Sequence, residues 1–235
     1  MRLSDRLENI LELVPRGLAC ADIGCDHGFM AIELVSRGIS PQVTASDLRP
    51  GPLERARENV EKAGLSDRIK LIISDGFASF EPGSVKTAVI AGMGGMLIKD
   101  ILTNGMECIG RMEEFIVQPQ SNIPEFRNFL RSSGFEITRN NILLDAGKYY
   151  FPMRIRYTGK TDACQSTSIT AEDRYGADLI EEDRGLSEYL DAEMSSYERI
   201  LEKLISECGE HNERTEEIRE LARLNRSVRS HFNKE

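Results

Sequence analysis

Short apolar runs alternate with stretches of helical periodicity over the first 132 residues of the chain. The apolar runs predict strands at about 18–23, 42–46, 69–73, 86–91 and 114–118. The stretches between them predict helices at about 28–37, 50–63, 94–103 and 123–132, and helical spacing from Leu3 to Val14 predicts one more before the first strand. Repeated strand–helix–strand order indicates an α/β protein with a largely parallel sheet.

The pattern changes after Gly134. Phe135–Leu144 and Tyr149–Tyr157 read as two strands, and Asp145–Lys148 joins them as a turn. A parallel sheet that ends in an antiparallel hairpin is typical of the Rossmann-like class I methyltransferase fold. Dinucleotide dehydrogenases would instead continue with a second strand–helix–strand half.

A polar, aperiodic stretch at 159–170 reads as a linker to a helical tail. Apolar residues then recur at steps of three and four in two stripes, on either side of Gly209. The stripes are Leu190, Met194, Tyr197, Leu201, Leu204 and Ile205, followed by Ile218, Leu221, Leu224 and Val228. They predict two antiparallel helices, either as a coiled-coil-like hairpin or packed on the first domain. The predicted domains are therefore 1–159 and 160–235.

Charge and composition narrow the class of protein. The net charge is −9, and most of it lies after residue 159, where 11 Lys and Arg face 19 Asp and Glu. An acidic chain disfavours nucleic-acid binding except through local patches. No apolar run approaches the ~20 residues of a membrane span. Five scattered cysteines without a C-x-x-C pair favour a reducing cytoplasm over a disulfide scaffold or a metal site.

The turn after the first predicted strand carries the clearest chemistry. Its sequence, Asp-x-Gly-x-Asp-x-Gly, separates a strand from a helix, as in pockets that hold a nucleotide at the carboxyl end of a strand. Two carboxylates would repel a pyrophosphate and favour a ligand with a positive centre, such as the amine and sulfonium of S-adenosylmethionine. The alternative is a tight turn that binds nothing. The expected cofactor contacts here are Asp22, Gly24, Cys25, Asp26, His27 and Gly28.

Two further acids end the next two predicted strands. Asp47, followed by Leu48, is placed to accept hydrogen bonds from ribose hydroxyls, and Asp75, followed by Gly76, from an adenine amino group. Each alone is equally consistent with a cap or a turn. Three acids at successive strand ends, all facing one crevice, favour a cofactor site.

The ends of the fourth and fifth predicted strands face the same crevice. Gly92 and Met93 are expected to meet the cofactor, and Gly94 and Gly95 leave room for a flat base. The alternative is a loose glycine turn. The amides of Gln118 and Asn122 could pair with the edge of a base, or merely cap the next helix.

Several cations and aromatic residues have two possible roles. Arg219, Arg223 and Arg226 lie mostly on one side of the last helix, where they could contact phosphates or pair with neighbouring glutamates. Arg2 and Arg6 near the amino terminus are further candidates for substrate contact. The aromatic run 149–151 could stack on a base or belong to the core.

Four motifs together make the chain resemble the bacterial tRNA (adenine-22-N1)-methyltransferases. They are Leu3–Leu7, Asp22–Gly28, Ile90–Gly95 and Gln118-Pro119, and the resemblance extends through Gly147–Tyr150 into the helical tail. It implies S-adenosylmethionine as cofactor, tRNA as substrate and a tail that helps to hold the tRNA. The chain departs from that pattern where Phe29 replaces a tyrosine and Gln120 an asparagine.

The resulting hypothesis is a cytoplasmic tRNA methyltransferase acting at N1 of adenine. The candidates at the reacting centre are Asp26, Phe29 and Gln118, and Asp26 is placed to stabilise a positively charged product. The sequence implies no metal and leaves the oligomeric state open. One alternative is a small-molecule or protein methyltransferase with the same cofactor site. Another is a non-enzymatic nucleotide-binding module.

Overall fold

The computed structural model describes residues 3–161, 169–208 and 212–232. The chain divides into two compact units, Met1–Ile169 and Thr170–Glu235. Arg2, one of the candidates for substrate contact, lies outside the described residues. The functional boundary expected after Gly159 stays a prediction.

The first unit alternates helices and strands in the predicted order. Its elements are α1 (Asp5–Leu13), β1 (Cys20–Ile23), α2 (Phe29–Ser36), β2 (Val43–Asp47), α3 (Pro50–Lys62), β3 (Ile69–Ile73), β4 (Thr87–Met93), α4 (Gly95–Asn104), α5 (Met106–Ile109), β5 (Phe115–Pro119), α6 (Ile123–Ser132), β6 (Phe135–Asn140), β7 (Leu143–Asp145), β8 (Lys148–Tyr150) and β9 (Met153–Tyr157). The short helix α5 is the one element before β6 that the sequence pattern did not predict.

The described strands of the main sheet lie in the order β3-β2-β1-β4-β5-β9-β6. The first five in this order run parallel, and β9 is antiparallel to both β5 and β6. Apolar clusters cover both faces: one includes Ile10 and Leu34, the other Phe115 and Phe126. This confirms the predicted Rossmann-like methyltransferase sheet. All five parallel strands deliver their carboxyl ends to one edge.

The predicted hairpin after Gly134 is shorter and is divided in two. β6 and β9 pair within the main sheet, whereas β7 and β8 form a separate two-stranded sheet. Ala146 and Gly147 turn between β7 and β8 with φ angles of 49° and 79°, the left-handed pair of a tight hairpin turn. Pro152, which has no N–H to donate to a ladder, separates β8 from β9. The prediction of two continuous strands is therefore wrong.

A buried arginine contacts the chain where it leaves the main sheet after β6 and again shortly before it returns at β9. Arg127 of α6 is 2% exposed and donates a hydrogen bond of 3.2 Å to Oδ1 of Asn140, the last residue of β6. Its guanidinium carbon lies 5.3 Å from the ring centre of Phe151, directly after β8. One side chain thus contacts both ends of the segment that carries the small hairpin.

Helix α1 is fixed to the sheet and to the start of the hairpin segment. Ser4 caps its amino terminus by accepting a hydrogen bond from the Leu7 amide. Asn141, just before β7, donates 2.9 Å to Oδ1 of Asn9, and Arg154 of β9 donates 2.7 Å to the carbonyl of Leu13. These contacts hold one face of α1 beside the carboxyl-end edge of the sheet.

The second unit is helical, as predicted. It contains α7 (Ala171–Tyr175), α8 (Ala177–Glu182), α9 (Leu186–Cys208) and α10 (Glu213–Arg229), of which α7 and α8 were not predicted. Tyr197 of α9 packs on Ile218 and Ala222 of α10, while Arg229 pairs with Asp191 at the other end. The two long helices therefore run antiparallel.

A polar cluster joins the helices of the second unit. The carboxylate of Glu193 accepts hydrogen bonds from the hydroxyls of Tyr175 at 2.8 Å and Tyr189 at 3.0 Å, and from the amide of Asn225 at 2.9 Å. Arg174 donates to the same carboxylate at 3.2 Å. Because a buried charge needs such partners, this cluster fixes how α7, α9 and α10 pack.

Candidate functional site

A cavity of about 540 Å³ opens at the carboxyl ends of β1, β2 and β4 and beside the residues that follow β3. Eleven of the twelve residues expected to contact the cofactor line it: Asp22, Gly24, Cys25, Asp26, His27, Asp47, Leu48, Asp75, Gly76, Gly92 and Met93. The twelfth, Gly28, lies outside the lining. It begins α2 with a φ of 74°, and an added Cβ would lie 3.1 Å from the Cβ of Ala56. Close packing against α3 therefore requires glycine there.

Gly24 allows the backbone to lie open to the cavity. Its φ is 73°, and its amide and that of Cys25 both donate to the carbonyl of Ser46, at 2.8 and 2.9 Å. A Cβ on Gly24 would lie 2.1 Å from Cε of Met93. A side chain would therefore enter the space between β1 and β4 that a ligand would use.

Asp22 is a buried carboxylate without a full set of partners. It is 4% exposed, and its Oδ2 has no hydrogen-bond partner within the described part of the chain. Burial raises the pKa of Asp22 to about 7, with nearby Asp47 adding to the rise and the Ala31 backbone opposing it. A buried, unpaired oxygen on a residue that lines a cavity fits a cationic donor from a ligand.

Asp47 and Asp75 stand at the same edge as Asp22 but differ in burial. Asp47 is 8% exposed, and its Oδ1 accepts a hydrogen bond of 2.9 Å from the Arg49 amide. Asp75 is exposed at the rim, beside Ser74, whose hydroxyl bonds the Gly76 carbonyl at 2.8 Å. Both carboxylates are available to ligand hydroxyls or amino groups.

The segment from Asp26 to Phe29 forms the wall nearest the glycine turn. Asp26 is exposed and has a φ of 49°, a conformation that aspartate tolerates better than most residues. Its carboxylate lies 3.4 Å from Nε2 of His27, whose ring stacks on Phe29 at 5.8 Å. The His27 carbonyl accepts 2.9 Å from the amide of Asn59. The hydrogen bond from Asn59 of α3 therefore fixes the position of this wall.

Cys25 lines the cavity but lacks the properties of a nucleophile. It is 7% exposed, and burial together with the charges of Asp22 and Asp47 raises the pKa of its thiol far above the usual value. The thiolate is the reactive form of cysteine. The small size of Cys25 therefore explains its place better than reactivity does.

Gln118, predicted at the reacting centre, does not line the cavity but lies behind it in β5 and contacts Arg6, which does. Gln118 is fully buried: its Oε1 accepts 2.9 Å from Arg6, and its Nε2 donates 3.0 Å to the Pro119 carbonyl. Arg6 itself lines the cavity. Because both ends of the Gln118 amide are engaged, we expect Gln118 to position Arg6 rather than to contact a base.

Gln120 is a cavity residue that was not among the predicted site residues. It is half-buried, and its backbone N–H donates a hydrogen bond of 2.8 Å to the Met93 carbonyl, which fixes the backbone at this position. An added Cβ on Gly92 would lie 3.8 Å from its Nε2. The side-chain amide of Gln120 makes no hydrogen bond to any described residue, so it is free for a ligand. In the sequence, the feature that could have identified Gln120 as a site residue was its position directly after the fifth strand.

Three predicted substrate residues do not line the cavity. An added Cβ on Gly95 would lie 2.7 Å from the Ser121 carbonyl, and one on Gly94 would lie 3.1 Å from the Ser121 hydroxyl. Asn122 is exposed, has a φ of 54° and begins α6. Gly94 and Gly95 therefore allow α4 to approach the loop after β5, and their expected role as open space for a base lacks direct geometric support.

The predicted arginines of the tail lie on α10. Arg219 is half-buried and pairs with Glu216, whereas Arg223 and Arg226 are exposed and form no ion pair with any described residue. Of the alternatives left open by the sequence, pairing with glutamates therefore applies to Arg219. Arg223 and Arg226 keep their charge available to solvent.

Two further properties concern the described residues. No group of three or more His, Cys, Asp or Glu among them is arranged to hold a metal ion. None of their helices is both long enough and apolar enough to cross a membrane.

Comparison with known proteins gives one consistent family. The family described as "Methyltransferase domain" matches residues 3–153. The tRNA (adenine(22)-N(1))-methyltransferase of Bacillus subtilis is 28% identical over 94% of this chain and 93% of its own length. The solved structure of the B. subtilis M1A22 tRNA methyltransferase has a TM-score of 0.82 at 27% identity, covering 97% of this chain and 99% of its own.

A structure with bound cofactor is also similar. A Streptococcus pneumoniae protein solved in complex with S-adenosyl-L-methionine has a TM-score of 0.82 at 28% identity. The match covers 97% of this chain and all of that one. The similarity therefore extends over both compact units.

Proposed function

Because this chain belongs to the methyltransferase-domain family, we propose that it transfers a methyl group from S-adenosylmethionine to N1 of an adenine, at position 22, in tRNA. The observation that carries the proposal is the acid-lined cavity at the strand ends, whose lining includes Asp22 with its buried, unpaired Oδ2. The relatives named above supply the substrate. A tRNA substrate also supports the expected cytoplasmic location.

The residues present fit the cofactor. Asp22 would hold its ammonium group, because an unpaired buried carboxylate gains most from a cationic donor. Asp47 would accept from the ribose hydroxyls, Asp75 would accept from the adenine amino group, and the bare backbone of Gly24 would allow close approach. When bound, S-adenosylmethionine supplies a methyl group on a positively charged sulfur.

The β4 and β5 side of the cavity would receive the acceptor base. Gln120 offers a side-chain amide, which can both donate to and accept from a base edge. Adenine N1 is a neutral nucleophile, so no residue of the chain needs to remove a proton from it. The chain contributes mainly by positioning the two reactants in line. Asp26, exposed at the cavity wall, would stabilise the positive charge of the methylated ring.

The base must leave its stack to react, because N1 lies on the pairing edge. Phe29, stacked on His27 at the cavity wall, would support the displaced base with an apolar face. The tyrosine of related sequences would add a hydroxyl at this place. Phe29 therefore keeps the stacking surface but offers no hydrogen bond.

The decisive experiment is methyl transfer to unmodified bacterial tRNA. We expect tritium from labelled S-adenosylmethionine to appear in tRNA, and digestion followed by mass spectrometry to give 1-methyladenosine. An otherwise identical tRNA with guanine at position 22 serves as the control and should remain unlabelled. A methyl group found only on guanine, cytosine or the exocyclic amine of adenine would refute the proposal. No transfer to tRNA at all would favour a small-molecule or protein acceptor.

A further inference from the structure

Arg6 is held at the rim of the cavity by a buried partner. Its Nη1 donates 2.9 Å to Oε1 of fully buried Gln118, and its guanidinium carbon lies 5.5 Å from the ring centre of Tyr150. Within the described ranges, Arg6 forms no ion pair with a carboxylate. Since a guanidinium carries five donors in a fixed fork, the contact with Gln118 leaves donors of Arg6 free.

Lys148 brings a second cation to the same ring. Its Nζ lies 5.3 Å from the ring centre of Tyr150 and 3.5 Å from the carbonyl oxygen of Gln120, a residue of the cavity lining. Lys148 is exposed, and its partner across the turn, Asp145, forms no ion pair with it among the described residues. Two cations from distant parts of the chain thus share one aromatic ring without a neutralising acid.

The position of this pair relates it to the acceptor side of the cavity. Arg6 and Gln120 both line the cavity, and both lie near Gly92 at the end of β4. The acids Asp22, Asp47 and Asp75 stand on the other side. A ligand that crosses the cavity therefore meets negative charge at one end and positive charge at the other.

We propose that Arg6 and Lys148, held by Tyr150 and Gln118, form a phosphate-binding site for the nucleotide that carries the target base. The inference rests on the proposed function and specifies which part of the RNA is held, and where. Two cations at the cavity rim match a phosphodiester, since guanidinium and ammonium groups bind phosphate by charge-assisted hydrogen bonds. Binding one backbone phosphate there fixes how far the attached base reaches towards Gln120.

The test uses the full-length Lys148→Gln variant. We expect its KM for tRNA to rise about three- to tenfold, with its affinity for S-adenosylmethionine unchanged in calorimetry. Lys86→Gln is the matched control, because Lys86 is also exposed but precedes β4, at the opposite end of the parallel strands. A Lys148→Gln enzyme with the KM of the Lys86→Gln enzyme would overturn the site.

A neutral linkage in the RNA identifies the phosphate. Two tRNAs carry a methylphosphonate, one on the 5′ side and one on the 3′ side of the target adenosine. Each of these tRNAs is compared with a reference tRNA that has an ordinary phosphate at the same linkage. The nucleotide on the 5′ side of that linkage carries a 2′-O-methyl sugar in both, so the two RNAs differ only in the charge of the linkage. With one of them, wild type and Lys148→Gln should become equal in KM, because the charge partner is gone. A Lys148→Gln penalty that persists with both neutral linkages would exclude a contact to either phosphate.

Failure of this inference and failure of the proposed function give different results. If the wild-type enzyme forms no 1-methyladenosine in the reference tRNA, the proposed function is wrong. If it does, and Lys148→Gln behaves as Lys86→Gln, only the phosphate site is wrong. A loss of S-adenosylmethionine affinity in Lys148→Gln would also overturn the site, because it would place Lys148 on the cofactor side.

Discussion

The two sides of the cavity differ in charge and in the way that the fold assembles them. On the β1–β3 side, Asp22 lies one residue before the end of β1, Asp47 ends β2 and Asp75 lies two residues after β3, so the sheet alone brings them together. On the β4–β5 side, Arg6 and Lys148 come from α1 and β8 and meet only at the ring of Tyr150. The comparison teaches that a cofactor site can follow from sheet topology, whereas an acceptor site needs tertiary packing.

Asp22→Asn should have the largest effect and separate the two sides most clearly. We expect its affinity for S-adenosylmethionine to fall roughly 10- to 100-fold, because a charge-assisted bond to a cationic donor is lost. Calorimetry measures this loss. Wild-type cofactor affinity in Asp22→Asn would contradict the acidic side as the place of the ammonium group.

The same substitution should stabilise the cofactor-free protein at high pH. With its pKa raised from 3.8 to about 7, Asp22 is protonated in the folded state and charged in the unfolded state between these values. The folded protein therefore loses stability as pH rises through this window. Asn carries no charge in either state, so Asp22→Asn avoids this cost. We expect its free energy of unfolding to exceed that of wild type by up to about 4 kcal/mol at pH 8 and by much less at pH 5. Urea unfolding at both pH values measures the difference, and an equal effect at pH 5 and pH 8 would contradict it.

Gln120→Ala tests the opposite side. We expect cofactor affinity to remain, while kcat for tRNA methylation falls about tenfold, because the base loses a hydrogen bond that orients it. Gln42→Ala is a suitable control, since Gln42 is exposed before β2, at the other end of the strands. Loss of cofactor affinity in Gln120→Ala would mean that the two sides are not separate.

The smallest effect is expected from the helical unit. Replacing both Arg223 and Arg226 by Gln should raise KM for tRNA about two- to fivefold and flatten its salt dependence, because two exposed charges are lost. The double variant Arg199→Gln, Arg214→Gln changes the net charge equally elsewhere in the same unit. If both double variants behave alike, Arg223 and Arg226 hold no phosphate.

The sequence predicted the sheet and the acidic side because both depend on local order. Each strand is a short apolar run, and the next polar residue after it lies at the carboxyl-end edge, as Asp47 does. The left-handed Gly24 could also be inferred from its motif. These features need no knowledge of which distant residues come into contact.

The features that the sequence missed depend on distant contacts. The sequence left Gln118 open between a base contact and a helix cap, and gave no sign that its amide oxygen accepts from Arg6, 112 residues earlier. The hairpin was expected to be continuous, but Arg127 contacts the chain at Asn140 and at Phe151, on either side of the small β7–β8 hairpin. Neither contact has a periodic signature, so Gln120 was identified as a free amide only when the packing around it was known.

The buried guanidinium of Arg127 has a consequence for protein engineering. Because it contacts the chain at Asn140 and Phe151, the eight residues Leu143–Tyr150 form an exchangeable cassette between two fixed ends. We expect that hairpins of the same length, with other residues around Ala146-Gly147, can be grafted there without altering the main sheet. Because Lys148 and Tyr150 of the proposed phosphate site lie within it, we expect a library confined to this cassette to change which RNAs are accepted and to leave cofactor binding intact.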